Sequence, residues 1–215
     1  MFARVARRYD LMNQLMTAGQ DQRWRQETIC LARLSPGALL LDLGSGTGEL
    51  ARQALRQEPT SQVIAVDFTF EMMRYSQSGG NFPRAAADAL ETPFPDNTFK
   101  AVVSGFLMRN VSNLQQALQE QYRILKPGGR IVILETTPPK RNWLRPLAWL
   151  YLHVMIPVLA LLVTGQPRDY IYLSVSTDGF LRAEELAIHM AITGFKKIVF
   201  QRRMLGMIAI HWGEK

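Results

Sequence analysis

Residues 39–49 read Leu39-Leu40-Leu41-Asp42-Leu43-Gly44-Ser45-Gly46-Thr47-Gly48-Glu49, and their order decides the fold. A short apolar run of this kind forms a strand buried on both faces, as in a parallel sheet. The alternating glycines that follow let the backbone turn tightly and come close to a ligand. Glu49 to Gln57 then reads as the helix that carries the chain back across the sheet. Strand, glycine loop and helix open an α/β fold in which ligands sit beyond the carboxyl ends of the strands.

Outward from this unit the alternation repeats. Gln62 to Asp67 is a strand ending in an acid, followed by a helix around Phe70 to Ser76. Arg84 to Asp88 is a weaker strand, Phe99 to Ser104 a strong one, and Asn113 to Leu125 a helix with Leu114, Ala117, Leu118, Tyr122 and Leu125 along one side. Lys126-Pro127-Gly128-Gly129 stops that helix and turns the chain into a strand over Arg130 to Glu135. Residues 183–192 form a short helix ended by Gly194. Lys197 to Gln201 and Met207 to Trp212 are strands joined near Leu205-Gly206, too close for a crossover, so they pair as a hairpin and leave one strand antiparallel. The expected fold is therefore an α/β, Rossmann-like sandwich with a seven-stranded, mostly parallel sheet and a C-terminal antiparallel strand. Ahead of it, residues 1–34 read as two helical stretches broken by Gly19. Residues 1–215 are expected to form a single domain.

At 215 residues and 47% apolar composition the chain can bury a core without staples. Its one cysteine, Cys30, excludes an internal disulfide and reads as a small buried hydrophobe in a helix; no Cys/His cluster has metal-site spacing. A cytoplasmic setting follows as the default. The formal charge of +7 suits nucleic acid, an anionic membrane surface or an acidic substrate, and also a merely basic surface. Leu147 to Val163 is almost wholly apolar, but a spanning helix needs about 20 such residues, and this run holds His153 and Pro157 near its middle. A buried helix or one lying in a membrane interface fits it better. It does not suit a nucleic-acid groove, so nucleic acid is not expected as a partner.

Asp42, Asp67, Asp88 and the Ser104-Gly105 pair all fall at the carboxyl ends of strands, along one edge of the sheet. Any one of these acids can equally be a turn or cap residue; their alignment argues for a ligand. In a dinucleotide fingerprint a third glycine stands where this chain has Glu49, whose carboxylate repels pyrophosphate. A sulfonium cofactor carries no phosphate, which favours S-adenosylmethionine. Asp42 then holds the amino-acid ammonium directly or through water, and the backbone at Gly44 and Gly46 lies against the amino-acid portion. Asp67 accepts from both ribose hydroxyls, Asp88 from the adenine amino group, and Ala89 lends its N–H to a ring nitrogen.

Several segments together resemble the ubiquinone/menaquinone biosynthesis C-methyltransferases nearly end to end: YDLMNQLMTAGQDQRWR from Tyr9, LDLGSGTGEL from Leu41, PFPDNTF from Pro93, GFLMRNV from Gly105, YRILKPGGR from Tyr122, and DYIYLSVSTDGF from Asp169. The resemblance implies that Thr47, Asp67 with neighbouring Phe68, Asp88, Ala89 and Gly105 contact S-adenosylmethionine, and that the N-terminal region with Tyr9 closes over the site as a lid. It implies a polyprenylated quinol as acceptor, methylated on a ring carbon, with residues 141–182 as an apolar insertion on the substrate side. On that reading Arg109 stabilises the oxyanion developing on the quinol, since an arginine cannot act as the base. Asn110 holds Arg109 in place, and His153 is either a proton acceptor or a satisfied core histidine. A protein working on such an acceptor is expected to be cytoplasmic and to lie peripherally on an anionic membrane; a homodimer is left open. Two departures from the family pattern bear on the acceptor: Leu107 where a small glycine is usual, and an extra residue near Ile156-Pro157.

Overall fold

The computed structural model describes residues 11–69, 72, 81–139, 143, 145–164 and 174–215. Among them the strands are β1 (Leu39–Leu43), β2 (Gln62–Asp67), β3 (Arg84–Ala86), β4 (Phe99–Gly105), β5 (Leu125–Thr136), β6 (Lys196–Arg203) and β7 (Ile208–Glu214). They form one seven-stranded sheet in the order β3-β2-β1-β4-β5-β7-β6. β7 runs antiparallel to both of its neighbours, and every other pairing is parallel, as the short β6–β7 connection requires. The helices include α1 (described over 11–16), α2 (Gln20–Ala32), α3 (Glu49–Gln57), α4 (Leu114–Ile124), α5 (Arg145–Leu150 continuing to Thr164) and α6 (Ala183–Thr193), with a short helical stretch over 174–178 ahead of α6.

Side-chain alternation sorts the strand residues onto two faces. Leu40, Val63, Ala65, Ala101, Val103, Val132 and Leu134 meet α2 and α3, including Trp24, Ile29, Leu50 and Ala54. Leu41, Leu43, Val66, Val102, Ile131 and Ile133 face α4 and α6 through Ala117, Leu118, Leu186 and Met190. The acids and glycines at the strand ends are thus held by a core packed on both sides. Trp24, Ile29 and Ala32 belong to that core, so α2 packs as a wall of the molecule. Cys30 falls off the buried stripe of α2; it is exposed, with its thiol toward Gln57 Oε1 at 3.3 Å, and not buried as expected.

Lys126 to Gly129 does not separate α4 from the next strand. Leu125 already pairs with Phe99, and the ladder resumes at Arg130 opposite Ala101, so the four residues bulge out of β5. Gly128 has φ +69°, and Gly129 lies against the carbonyls of Lys126 and Lys100.

α5 is helical across the whole apolar run. Pro157 and His153 do not end it: the turn Tyr151–Met155 widens to a π-helix just ahead of the proline. A proline ring clashes with the carbonyl four residues back, and a widened turn relieves that clash. Nor is α5 a core helix. Among the described residues, Arg145–Val163 is long and apolar enough to cross a membrane, and only 22% of its most apolar window is buried. The inner stripe, Leu152, Ile156 and Ala160, packs on Met12 and Met16 of α1.

The bulge yields a contrast in stability. A Cβ on Gly129 would lie 2.7 Å from the Lys126 carbonyl and 3.1 Å from that of Lys100, whereas one on Gly128 would meet nothing within 4 Å. Gly129→Ala should therefore cost about 1–3 kcal/mol by forcing backbone apart, and Gly128→Ala only about 1 kcal/mol for its left-handed backbone. Urea unfolding of the two variants measures the difference, and equal losses would show that the bulge is not held as described.

Candidate functional site

The strand order reverses between β1 and β4, the switch point at which α/β sheets bind ligands. A cavity of about 410 Å³ opens there, a size suited to a small-molecule cofactor. Its walls come from the segments that follow β1 to β4, with one contribution from α2, Arg25.

The glycine loop is hung on the end of β2. The N–H groups of Gly44 and Ser45 donate to the Val66 carbonyl at 2.8 and 2.9 Å, and Gly46 N donates to Asp67 Oδ2 at 2.7 Å. Gly44 has φ +69°, and a Cβ on it would sit 2.7 Å from Leu107 Cδ1, so the loop backbone and the Leu107 side chain touch. Leu107, the departure noted in the sequence, is therefore part of the cavity wall.

Asp67 Oδ1 accepts from Thr69 N at 2.7 Å. Each carboxylate oxygen thus holds one backbone N–H, the Thr69 hydroxyl donates to the same carboxylate, and acceptor capacity is left over for a ligand. Burial raises the Asp67 pKa, against the opposing N–H groups of Thr69 and Gly46. Asp88 accepts from Leu90 N at 2.9 Å, and both line the cavity with Ala89. A polar clamp fixes the chain that follows: Glu120 Oε1 accepts from Thr92 N and Oγ1 at 2.8 and 2.6 Å, while Arg123 donates to the Phe94 carbonyl at 2.9 Å and to Asp96 Oδ1 at 2.6 Å. Burial works to raise the Glu120 pKa, but the donors from Arg123 and Thr92 outweigh it and hold the group below the ordinary value.

Gly44, Gly46, Thr47, Asp67, Phe68, Asp88, Ala89, Gly105 and Asn110 are brought together around the cavity. Tyr9 lies outside the described residues. Three expected residues are placed elsewhere. Asp42 is not in the lining; it is 1% exposed beneath the loop, with Oδ2 accepting from Ala51 N at 2.9 Å as a cap on α3. Through this oxygen the carboxylate joins β1 to α3, and the residue does not line the cavity. Arg109 is buried against Glu135: Nη1 pairs with Glu135 Oε1, and Arg109 N reaches Oε2 at 3.3 Å. Glu135, and not Asn110, is what holds Arg109; Asn110 Nδ2 donates to the Phe106 carbonyl at 2.8 Å. His153 is outside the cavity, with Nδ1 3.1 Å from the Trp149 carbonyl, Nε2 2.9 Å from Asp178 Oδ2, and its ring stacked on Trp149. Both ring nitrogens are thus engaged away from the cavity, and His153 is a half-buried residue of α5 outside the core.

Two features escaped the sequence. Phe106 carries φ +60°, a conformation that is strained for a bulky residue and costs about 1–3 kcal/mol. Two guanidinium groups approach its ring, those of Arg25 and Arg109, with centroid distances of 5.8 and 5.5 Å. Arg25 lies with Trp24 among the buried residues of α2, a placement that its charge alone does not suggest. Arg52 pairs with Glu49 one turn on and answers part of its charge, so the repulsion of a phosphate at that position is weaker than the sequence suggests.

Residues 1–215 match the model of the ubiE/COQ5 methyltransferase family. The chain is 44% identical to the ubiquinone/menaquinone biosynthesis C-methyltransferase UbiE of Desulfotalea psychrophila, over all of this chain and 89% of that protein. It is 37% identical to the demethylmenaquinone methyltransferase of Thermus thermophilus, over the whole of both chains. Among solved structures, a SAM-dependent methyltransferase of Thermotoga maritima aligns with a TM-score of 0.67 at 19% identity, covering 100% of this chain and 98% of that one, a likeness of fold alone.

Burial pushes the Asp42 carboxyl up to about 7, opposed by the Ala51 N–H and by Arg25 and Arg52, while Asp67 adds to the rise. The folded value exceeds the ordinary 3.8, so the linked stability is fully present below that value and lost as pH rises through about 7. Asp42→Asn, which keeps an acceptor for Ala51, should raise the melting temperature relative to the parent above pH 7 and remove part of the decline between pH 4 and 7. Parallel melting curves across that range would refute the assignment.

Proposed function

The chain belongs to the ubiE/COQ5 methyltransferase family, and on that premise we propose that it methylates a ring carbon of a polyprenylated quinol, a demethylmenaquinol or a ubiquinol precursor. It is an S-adenosylmethionine-dependent C-methyltransferase, and its cavity fits that cofactor. Asp67 keeps free lone pairs for the ribose hydroxyls, Asp88 and Ala89 border the adenine side, and the glycines of the loop leave room for the amino-acid portion.

When bound, the cofactor supplies a methyl group that is electrophilic because it sits on a sulfonium. The protein's task is then alignment, exclusion of water and support for an electron-rich acceptor. A quinol becomes such an acceptor by losing a hydroxyl proton; its ring carbon takes the methyl and then releases its own proton. Asn110, Val111 and Ser112 form the wall beside Gly105. Arg109 is not among the residues that line the cavity. It acts as a positioning residue, pinning residues 106–110 through Glu135 and the Phe106 ring, and it sets a fixed cation behind the wall where an oxyanion develops.

The observation that carries the acceptor reading is the outer face of α5. Leu147, Leu150, Val154, Val158 and Leu161 are exposed along one side, while the opposite stripe is packed on α1. An apolar helix face of this kind, on a chain of formal charge +7, suits an anionic membrane surface and a prenyl tail delivered from it. The protein on this reading is peripheral to the membrane. A second reading, methylation of another lipid or small aromatic acceptor, is favoured by Leu107, whose side chain occupies the wall against Gly44.

The test is to incubate the protein with labelled S-adenosylmethionine and, in separate reactions, reduced demethylmenaquinone, a reduced ubiquinone precursor, a prenylated non-quinol phenol and bulk RNA. Label is expected in one of the quinols; label confined to the phenol or to RNA overturns the reading. The Val154→Glu/Leu161→Glu double variant should cosediment with anionic vesicles several-fold less than the parent and lose transfer to a long-tailed quinol. It should keep transfer to a short-tailed, water-soluble one. Equal loss on both acceptors would assign the helix a purely structural role.

A further inference from the structure

Arg25 is a buried cation with too few partners. Its residue is 8% exposed, and its Nε is fully buried without a hydrogen bond. The nearest carboxylate oxygen, Asp21 Oδ2, is 3.7 Å from Nε, beyond hydrogen-bond reach, and Asp21 is itself tied to Thr17 at 3.1 and 3.2 Å. The Phe106 ring offers a cation–π contact at 5.8 Å. A guanidinium taken out of water in this way needs an anion with good geometry to offset its desolvation.

The fold says where that anion comes from. Arg25 projects from α2, the helix fixed in the core by Trp24 and Ile29, into the lining of the cofactor cavity. Its Nη1 lies 3.9 Å from where a Cβ on Gly105 would stand, so the bare end of β4 is what lets the guanidinium reach over it. Along the carboxyl edge of the sheet, Asp88 follows β3, Asp67 ends β2, Gly44 follows β1 and Gly105 ends β4. With adenine and ribose at the β3–β2 end, the amino-acid portion of the cofactor lies toward β1 and β4, where Arg25 stands. The α-carboxylate is the one anionic group that S-adenosylmethionine carries.

We propose that Arg25 is the anchor for the cofactor's α-carboxylate, a guanidinium held over Gly105 by α2 and Phe106. The planar fork of arginine matches a carboxylate in a two-point contact, which the single ammonium of lysine does not. In this arrangement α2 measures the length of the cofactor. Asp67 grips the ribose from β2, Arg25 grips the carboxylate from α2, and the sulfonium is held between two fixed points.

Isothermal titration of S-adenosylhomocysteine and of 5′-methylthioadenosine separates this role from a structural one. The first carries the amino-acid carboxylate; the second keeps the adenine, ribose and sulfur and lacks the carboxylate. Arg25→Gln should weaken S-adenosylhomocysteine about 10- to 100-fold, the size of a lost charge-assisted contact, and leave methylthioadenosine within about twofold. Arg25→Lys should fall between parent and Gln for the first ligand and match the parent for the second. If Arg25→Gln does not fold, the Lys variant is read on the same ratio. Equal weakening of both ligands would make Arg25 a purely structural residue and overturn the proposal. Unchanged binding of both with loss of methyl transfer would assign Arg25 to the acceptor and overturn it as well.

Discussion

The close approach of the Gly44–Ser45 backbone to the carbonyl of Val66 is the contact on which the rest of the site depends. It fastens the end of β1 to the end of β2, and in doing so brings Gly46 N onto Asp67. Asp67 is thereby oriented with one oxygen on the loop and the other on Thr69, leaving its outer lone pairs toward the cavity. Beneath the same loop, Asp42 takes the Ala51 N–H and sets the direction in which α3 leaves. A Cβ at Gly44 would press on Leu107, so this crossing also sets how near the β4 side of the cavity can come.

Polar clamps away from the loop fix the two remaining walls. On the adenine side, Glu120 and Arg123 of α4 hold the chain from Thr92 to Asp96, which immediately follows Asp88 to Leu90. On the β4 side, the buried Arg109–Glu135 pair and the Asn110–Phe106 contact hold a turn containing a phenylalanine in a left-handed conformation. A buried ion pair contributes little net stability, but removing one partner costs about 3–5 kcal/mol. Such a pair suits a wall that must keep one shape more than it suits a general gain in stability. The strain at Phe106 is sustained by what surrounds it: Phe106 N donates to the Leu134 carbonyl at 2.7 Å, and two guanidinium groups approach the ring.

The opposite physics governs α5. Its inner stripe is satisfied by α1, its outer face is left apolar, and a π turn before Pro157 lets the helical run continue through the proline. Ser174 Oγ bonds the Leu152 carbonyl at 2.8 Å, and Thr177 Oγ1 lies 3.1 Å from Thr136 Oγ1, next to Glu135. Hydrogen bonds therefore tie this helix to the end of β5, so the exposed apolar surface and the Arg109–Glu135 pair share one scaffold.

The strands and most helices were legible in the sequence because buried parallel strands leave unbroken apolar runs, and glycine or an acid marks their ends. Asp67, Asp88 and the glycine loop could be placed at one edge of the sheet for the same reason: a strand end is a position along the chain. Other assignments depended on which side of a helix a residue falls on and what packs there, which a single sequence does not state. Cys30 and Arg25 share α2, yet one is exposed and the other buried, because packing against β4 and β5 decides its inner stripe. Asp42 had the right position and the wrong direction, since alternation along β1 turned its carboxylate beneath the loop toward Ala51. Arg109 and Glu135 lie 26 residues apart in sequence, and only the β4–β5 pairing brings them into contact. The sequence by itself determined the order of elements, the cofactor edge and the family, all of which are local or periodic properties. The tertiary structure alone decided which charges face the cavity and which are spent on one another, because burial and ion pairing exist only between segments that have come together.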